Sequence, residues 1–188
     1  KGVRRNLQSE PDLTFCLQPD FLAGVRMLPQ FGLSFDLCIV HQQLPAIIRL
    51  VEACPKTSFV LDHIAKPAIT TGALDPWREH IRQLAMLPNI VCKISGLVTE
   101  ADHQRWTSDN LRPYVAHILD QFGEDRVLFG SDWPVALLAA SYTRWVETLD
   151  ALTQHLTPAA RRKLWAENAR RIYRLHDLDQ QSNQTVQA

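Results

Sequence analysis

Titratable side chains recur at one kind of position in this sequence, at the close of short apolar runs. His41 follows Phe35-Asp36-Leu37-Cys38-Ile39-Val40, and Asp62-His63 with Lys66-Pro67 follow Thr57-Ser58-Phe59-Val60-Leu61. Ile90-Val91-Cys92-Lys93-Ile94 carries Lys93 within it and ends in Ser95-Gly96. Arg126-Val127-Leu128-Phe129 leads into Gly130-Ser131-Asp132-Trp133-Pro134, and Gly2-Val3 precedes Arg4 and Arg5. These residue types suit a definite set of tasks. Imidazoles and carboxylates move protons or ligate a metal. A guanidinium holds hydroxyls or a carboxylate through two parallel hydrogen bonds.

The elements that must position these groups follow from the rhythm of the chain. Short β-type runs alternate with stretches of helical period, the pattern of βα units around a parallel sheet. The runs are nearly continuous in apolar character, as expected of strands covered on both faces. Between them, Leu44, Ile47, Ile48 and Val51 keep one face through residues 44–54. Asp75-Pro76 opens a helix carrying Trp77, Ile81, Leu84 and Ala85. Leu111, Val115, Ile118, Leu119 and Phe122 form another stripe, with Gly123 as its stop. Trp145, Leu149 and Leu152 mark a further helix, and Thr157-Pro158 starts the last, with Leu164, Ile172 and Leu175 inward. In such folds the working residues sit at the carboxyl ends of the strands. Two architectures fit, a doubly wound sheet or part of a (β/α)8 barrel. A full barrel needs about 250 residues, more than this chain has. No GxGxxG or GxxxxGK[ST] follows any run.

Composition narrows the function classes. The chain has 188 residues, with 20 Lys and Arg against 20 Asp and Glu. That neutrality removes the electrostatic case for nucleic acid or an anionic membrane as main partner. No run approaches the ~20 apolar residues of a membrane span, and the start does not read as a signal peptide. Cysteines 16, 38, 54 and 92 form no CxxC pair, which fits a reducing, cytoplasmic setting. Residues 1–176 are expected to form the folded unit and 177–188 a polar, disordered tail.

Three segments together give a family resemblance: Leu61-Asp62-His63-x-x-Lys66-Pro67, Cys92-Lys93-Ile94-Ser95-Gly96-Leu97, and Leu128-Phe129-Gly130-Ser131-Asp132-Trp133-Pro134. They resemble the late-strand motifs of the amidohydrolase superfamily, in its branch of sugar-lactone and dicarboxylate-lactone hydrolases. Gly2-Val3-Arg4-Arg5-x-x-Gln8, Phe35-Asp36-Leu37 and Trp165-x-x-Asn168-Ala169 extend the likeness to about residue 175. It implies an α/β fold, a partial (β/α)8 TIM-like barrel holding strands four to eight with their helices. The family's His-x-His of strand one has no counterpart here. The first three strands are therefore expected to be missing, through a fragment, a truncation, or an N-terminal companion segment.

The implied activity is the opening of a cyclic ester, a sugar-acid lactone such as L-fuconolactone. Lactone hydrolysis needs an activated water and a donor or cation at the carbonyl oxygen. By the resemblance Asp132 is the base and His63 polarises the carbonyl or binds a divalent metal. Arg4, Lys93, Trp133 and His41 are the substrate-binding candidates. No cofactor is required, or a divalent ion such as zinc sits on His63 and Asp132, with His41 in reach. Without the His-x-His that binding is expected to be weak or absent. The implied partner is a small-molecule substrate; a homo-oligomer is compatible with the sequence.

Each residue also has a plainer reading. Asp132 could cap the turn before Trp133-Pro134, His63 could be a backbone-bonded core histidine, and His41 could cap the next helix. Lys93 could pair within its layer. Only one of Arg4 and Arg5 can point inward, since a strand alternates faces, and Arg4 is the choice. Ser95-Gly96 reads as a turn, because no G-x-S-x-G elbow surrounds it. The competing functions are a metal-dependent decarboxylase of the same superfamily and a catalytically silent half-barrel acting as an interaction module.

Overall fold

The five expected strands form a single parallel sheet in a computed structural model that describes residues 1–175. The proposed tail, residues 177–188, lies outside the described residues. The strands are β1 (Gly2–Asn6), β2 (Ser34–Cys38), β3 (Phe59–Leu61), β4 (Ile90–Ile94) and β5 (Val127–Phe129). Their spatial order is β1-β2-β3-β4-β5, the order of the sequence. That order decides between the two architectures. A doubly wound sheet reverses direction at a switch point, whereas a barrel adds each strand beside the last. The sheet with its helices is part of a (β/α)8 barrel.

Helices fill the connections: α1 (Pro19–Met27), α2 (Leu44–Ala53), α3 (Trp77–Ala85), α4 (Ser108–Phe122) and α5 (Tyr142–Leu152). After β5 and α5 come α6 (Pro158–Arg162), a π-helical turn at Lys163–Glu167, and α7 (Asn168–Ile172). Gly123 and Thr157 cap as expected, whereas Asp75 does not: α3 has Pro76 at its N-cap and no side-chain cap bond. Gly123 ends α4 with φ of +68°, and the Thr157 hydroxyl accepts from the Ala160 amide at 3.1 Å. Helix α1 was not foreseen. It has Gly24 inside it and buries only Val25 fully, so its apolar period is faint. Leu175, expected inward, is half exposed because the helix has ended three residues earlier.

The strand period of two sorts the sheet into unlike faces. Phe35, Leu37, Phe59, Leu61, Ile90, Cys92, Ile94 and Val127 join the helix stripes in one hydrophobic core. Phe15, Phe21, Phe35 and Phe59 run through it edge to face, with centroids 5.5, 5.9 and 6.2 Å apart. Trp77 and Trp145 are buried in the same layer; each large apolar side chain so placed contributes roughly 1.5–3 kcal/mol. The opposite face carries Arg4, Asp36, Cys38, Val60 and Lys93. The expectation of strands apolar on both sides therefore needs correction. β1 is exposed along its whole length, and the inner face is charged. Asn168 ties the end of the chain to the sheet by donating to the carbonyls of Glu124 and Val127 at 2.8 and 2.7 Å. Among the described residues no helix is long and apolar enough to cross a membrane. All four cysteines are free and buried.

Candidate functional site

The segment after β3 departs from ordinary backbone geometry. His63, Ile64, Ala65 and Lys66 take φ of +54°, +47°, +63° and +48°. Left-handed conformation costs roughly 1–2 kcal/mol per residue, and a β-branched Ile there is an outlier. Packing and hydrogen bonds hold the run in place. Ile64 and Ala65 are fully buried, Trp77 Nε1 donates to the Ile64 carbonyl at 2.7 Å, and the Lys66 amide donates to the His63 carbonyl at 2.8 Å. His41 Nδ1 lies 2.9 Å from the Lys66 carbonyl. A carbonyl only accepts, so His41 carries its proton on Nδ1 in this bond.

The run aims the His63 ring across the carboxyl end of the sheet. Nδ1 lies 2.9 Å from Ser95 Oγ at the end of β4, and Nε2 lies 3.7 Å from Asp132 Oδ1 beyond β5. Asp132 is itself left-handed, with φ of +54°. Its turn is fixed by Trp145 Nε1, which donates to the Gly130 carbonyl at 2.9 Å, and by the Ala136 amide, which donates to the Asp132 carbonyl at 2.9 Å. Burial pushes the His63 imidazolium down to about 4; Asp132 opposes that shift while Lys66, Lys93 and Arg4 add to it. Burial raises the Asp132 carboxyl, with His63 and Lys66 acting against the rise.

Beneath this pair lies a buried ionic network. Lys93 Nζ sits 2.5 Å from Asp62 Oδ1 and 3.3 Å from Asp36 Oδ2. Arg4 reaches Asp62 Oδ2 at 3.5 Å, and the Tyr173 hydroxyl donates to Asp36 Oδ2 at 2.6 Å. Burial works against the Lys93 charge, but Asp62, Tyr173 and Asp36 together outweigh it and hold the ammonium well above its usual range. Burial raises the Asp36 carboxyl even though Tyr173 and Lys93 favour its charge.

The structure thus brings Asp132 and His63 together and sets Arg4, Lys93 and His41 around them. Lys93 is engaged in ion pairs, and His41 braces the left-handed run. Arg4 keeps 60% of its side chain exposed beyond its single long contact. Trp133 stands 64% exposed at the rim. Arg5 turns away to pair with Glu10. Asp62, Ser95, Asp36 and Tyr173 also belong to the arrangement, though none was assigned a role. Asp36 and Lys93 interrupt apolar runs with opposite charges, which was a usable sign of pairing. Tyr173 gave none, since it meets Asp36 across 137 positions.

A divalent ion would need donors that are free to bind it. Ligand atoms of Cys38, Asp62 and His63 lie within 4.8 Å of one another, all buried. Asp62 already faces Lys93 and Arg4, and burial raises the Cys38 thiol, which keeps it protonated. His63 Nε2 and Asp132 Oδ1 make two donors, fewer than the three protein ligands of a catalytic zinc site. The described residues do not fit such an ion by themselves.

The amidohydrolase family profile matches residues 1–175, the whole of the described chain. The chain belongs to the amidohydrolase family. It is 40% identical over 192 residues to an L-fucono-1,5-lactonase of Burkholderia multivorans, covering 93% of this chain and 63% of that protein. A second L-fucono-1,5-lactonase, from Burkholderia ambifaria, is 34% identical over 181 residues, covering 93% and 61%. A crystal structure of an amidohydrolase from Burkholderia multivorans with bound zinc superposes with a TM-score of 0.90 at 38% identity, covering 94% of this chain and 65% of that one. This amidohydrolase chain therefore spans less than two thirds of the length of these relatives.

Proposed function

We propose that this chain carries the acid–base half of a hydrolase that opens sugar-acid lactones, with L-fuconolactone the leading substrate. One observation supports the reading above the others: His63 Nε2 and Asp132 Oδ1, from loops two strands apart, converge to 3.7 Å. The likeness to two L-fucono-1,5-lactonases supplies the substrate class.

The chemistry follows from the protonation states. At neutral pH His63 is a neutral imidazole and Asp132 a carboxylate. Asp132 takes a proton from water as the water oxygen bonds to the lactone carbonyl carbon. The Nε2 hydrogen of His63 donates to the oxygen that gains negative charge. The ring C–O bond then breaks, and Asp132 returns its proton to the departing alkoxide, leaving a hydroxy acid. A positioned proton carrier of this kind contributes about 10²–10⁴-fold. Arg4, held only by its long contact to Asp62 and 60% exposed, suits sugar hydroxyls or the carboxylate product. Trp133 offers an apolar wall to the sugar ring. Lys93 acts from below, through Asp62.

The test is lactone consumption measured by pH-stat with L-fucono-1,5-lactone and a panel of other sugar lactones, comparing the protein with Asp132→Asn. Turnover that falls at least about 10²-fold in the variant is expected. Equal rates in the two proteins, or no lactone opened by the unsubstituted one, would overturn the reading.

A further inference from the structure

Ser95 has the sequence context of a turn, yet it is fully buried and its hydroxyl meets the catalytic imidazole at 2.9 Å. Two facts fix the direction of that bond. The ring carries a single proton at neutral pH, since burial and the nearby cations Lys66, Lys93 and Arg4 disfavour a second. Its Nε2 faces the Asp132 carboxylate, which when ionised only accepts. The proton therefore belongs on Nε2, and Nδ1 is left with a lone pair. A hydroxyl can donate to that lone pair; a carbonyl in the same place would demand the opposite tautomer. His41 shows the contrast within this molecule, with its Nδ1 against the Lys66 carbonyl.

We propose that Ser95 is a positioning residue that holds the His63 ring by donating to Nδ1, the nitrogen that Asp132 leaves without a proton. The hydrogen bond fixes the ring so that its Nε2 hydrogen points to the side where the lactone carbonyl oxygen would lie. The role is selective for an O–H donor of serine size. Ser95 closes β4, and the neighbouring glycines leave the room that it and the ring occupy. A Cβ on Gly130 would fall 2.8 Å from Ser95 Cβ. The proposal rests on the lactonase reading for its catalytic consequence, but the tautomer itself is independent of any substrate.

Long-range ¹H–¹⁵N correlation spectra of the histidine side chains separate a protonated ring nitrogen from a bare one. The His63 signals are assigned by their loss in His63→Gln. In the unsubstituted protein at neutral pH, the proton is expected on Nε2. Ser95→Ala is expected to leave the proton on Nε2, facing Asp132, and to shift the Nδ1 signal, which loses its hydrogen-bond donor. On lactone, Ser95→Ala should lose roughly tenfold in kcat, the scale of one hydrogen bond, with KM nearly unchanged. A proton on Nδ1 in the unsubstituted protein overturns the proposal without need of any variant. So does an unmoved Nδ1 signal in Ser95→Ala. The expected ring signals in a protein that opens no lactone support the positioning and count against the substrate instead.

Discussion

Gly96 leaves vacant the space into which the His63 ring is packed. A Cβ built on it would lie 2.8 Å from Nδ1 and 2.9 Å from Cβ and Cγ of the histidine. The glycine also has φ of +67°, where side chains are strained in any case. The left-handed turn of His63 and that of Gly96 therefore fit each other across two adjacent strands. The ring could not lie flat between Ser95 and Asp132 otherwise.

Gly96→Ala should consequently injure the site more than the fold. The left-handed alanine costs about 1–2 kcal/mol, which a urea midpoint will register as a modest drop. Displacing the ring should cost far more in activity. The expected result is a folded protein whose His63 ring signals shift and whose lactone turnover is nearly abolished. A variant with unmoved ring signals would show that the ring has other room.

Lys93 is the cation between two carboxylates, Asp62 and Asp36. Lys93→Met leaves Asp62, wholly buried, with only a long contact to Arg4. Breaking one partner of a buried pair costs about 3–5 kcal/mol, because a charge is stranded. The double variant Lys93→Met with Asp62→Asn should recover part of that loss, since the stranded charge goes too. Chemical denaturation of the single and double variants measures both. A single variant as stable as the parent would mean that water already screens the pair.

The pH dependence has a definite sign. His63 titrates near 4 in the folded chain, below the 6.5 of an ordinary histidine. Between those values the unfolded chain takes up a proton that the folded chain refuses. The contribution of His63 is complete above pH 6.5 and is lost as pH falls toward 4. Asp132, raised by burial, works the other way at the acid end, where protonation favours the folded state. Urea midpoints should fall from pH 7 to pH 5, and His63→Gln should flatten that fall. The acid limb of kcat/KM should likewise lie below 6.5, because the ring stays neutral there. An acid limb at or above 6.5 would contradict the depressed imidazole.

Much of this was legible in residue order, for reasons specific to each feature. Strand β4 could be read at its true limits, Ile90–Ile94, because its apolar run is unbroken except for Lys93. The convergence of His63 and Asp132 was readable from their shared position after a strand, since parallel strands bring such ends together. Helix α1 was hidden by Gly24 and a mostly exposed surface. The left-handed run from His63 to Lys66 was hidden more deeply. None of its residues is glycine, and its stability comes from Trp77 and His41, which are remote in sequence. The contact of Ser95 with His63 was hidden for a similar reason. A serine before a glycine looks like a turn until the ring that occupies the glycine's empty side is in place.

Tyr173 closes the network from the far end of the chain, and its removal tests whether that end matters to the site. Its hydroxyl donates to Asp36 Oδ2 at 2.6 Å, and Lys93 Nζ stands 5.6 Å from its ring centroid. Next to it, Arg174 donates to the carbonyls of Lys1 and Gly32, so this segment braces β1 and the approach to β2. Tyr173→Phe keeps the ring and removes the donor. A hydrogen bond to a charged acceptor is worth about 1.5–3 kcal/mol, and the loss should show in the urea midpoint. With one donor fewer, the Asp36 carboxyl should rise further from its ordinary value, while Lys93 keeps both Asp62 and Asp36 as partners. Turnover should then drop less than stability does, because Asp62 and the His63 loop keep their cation. If turnover instead fell as far as in Lys93→Met, the tyrosine would have to hold Lys93 in place directly, through its ring.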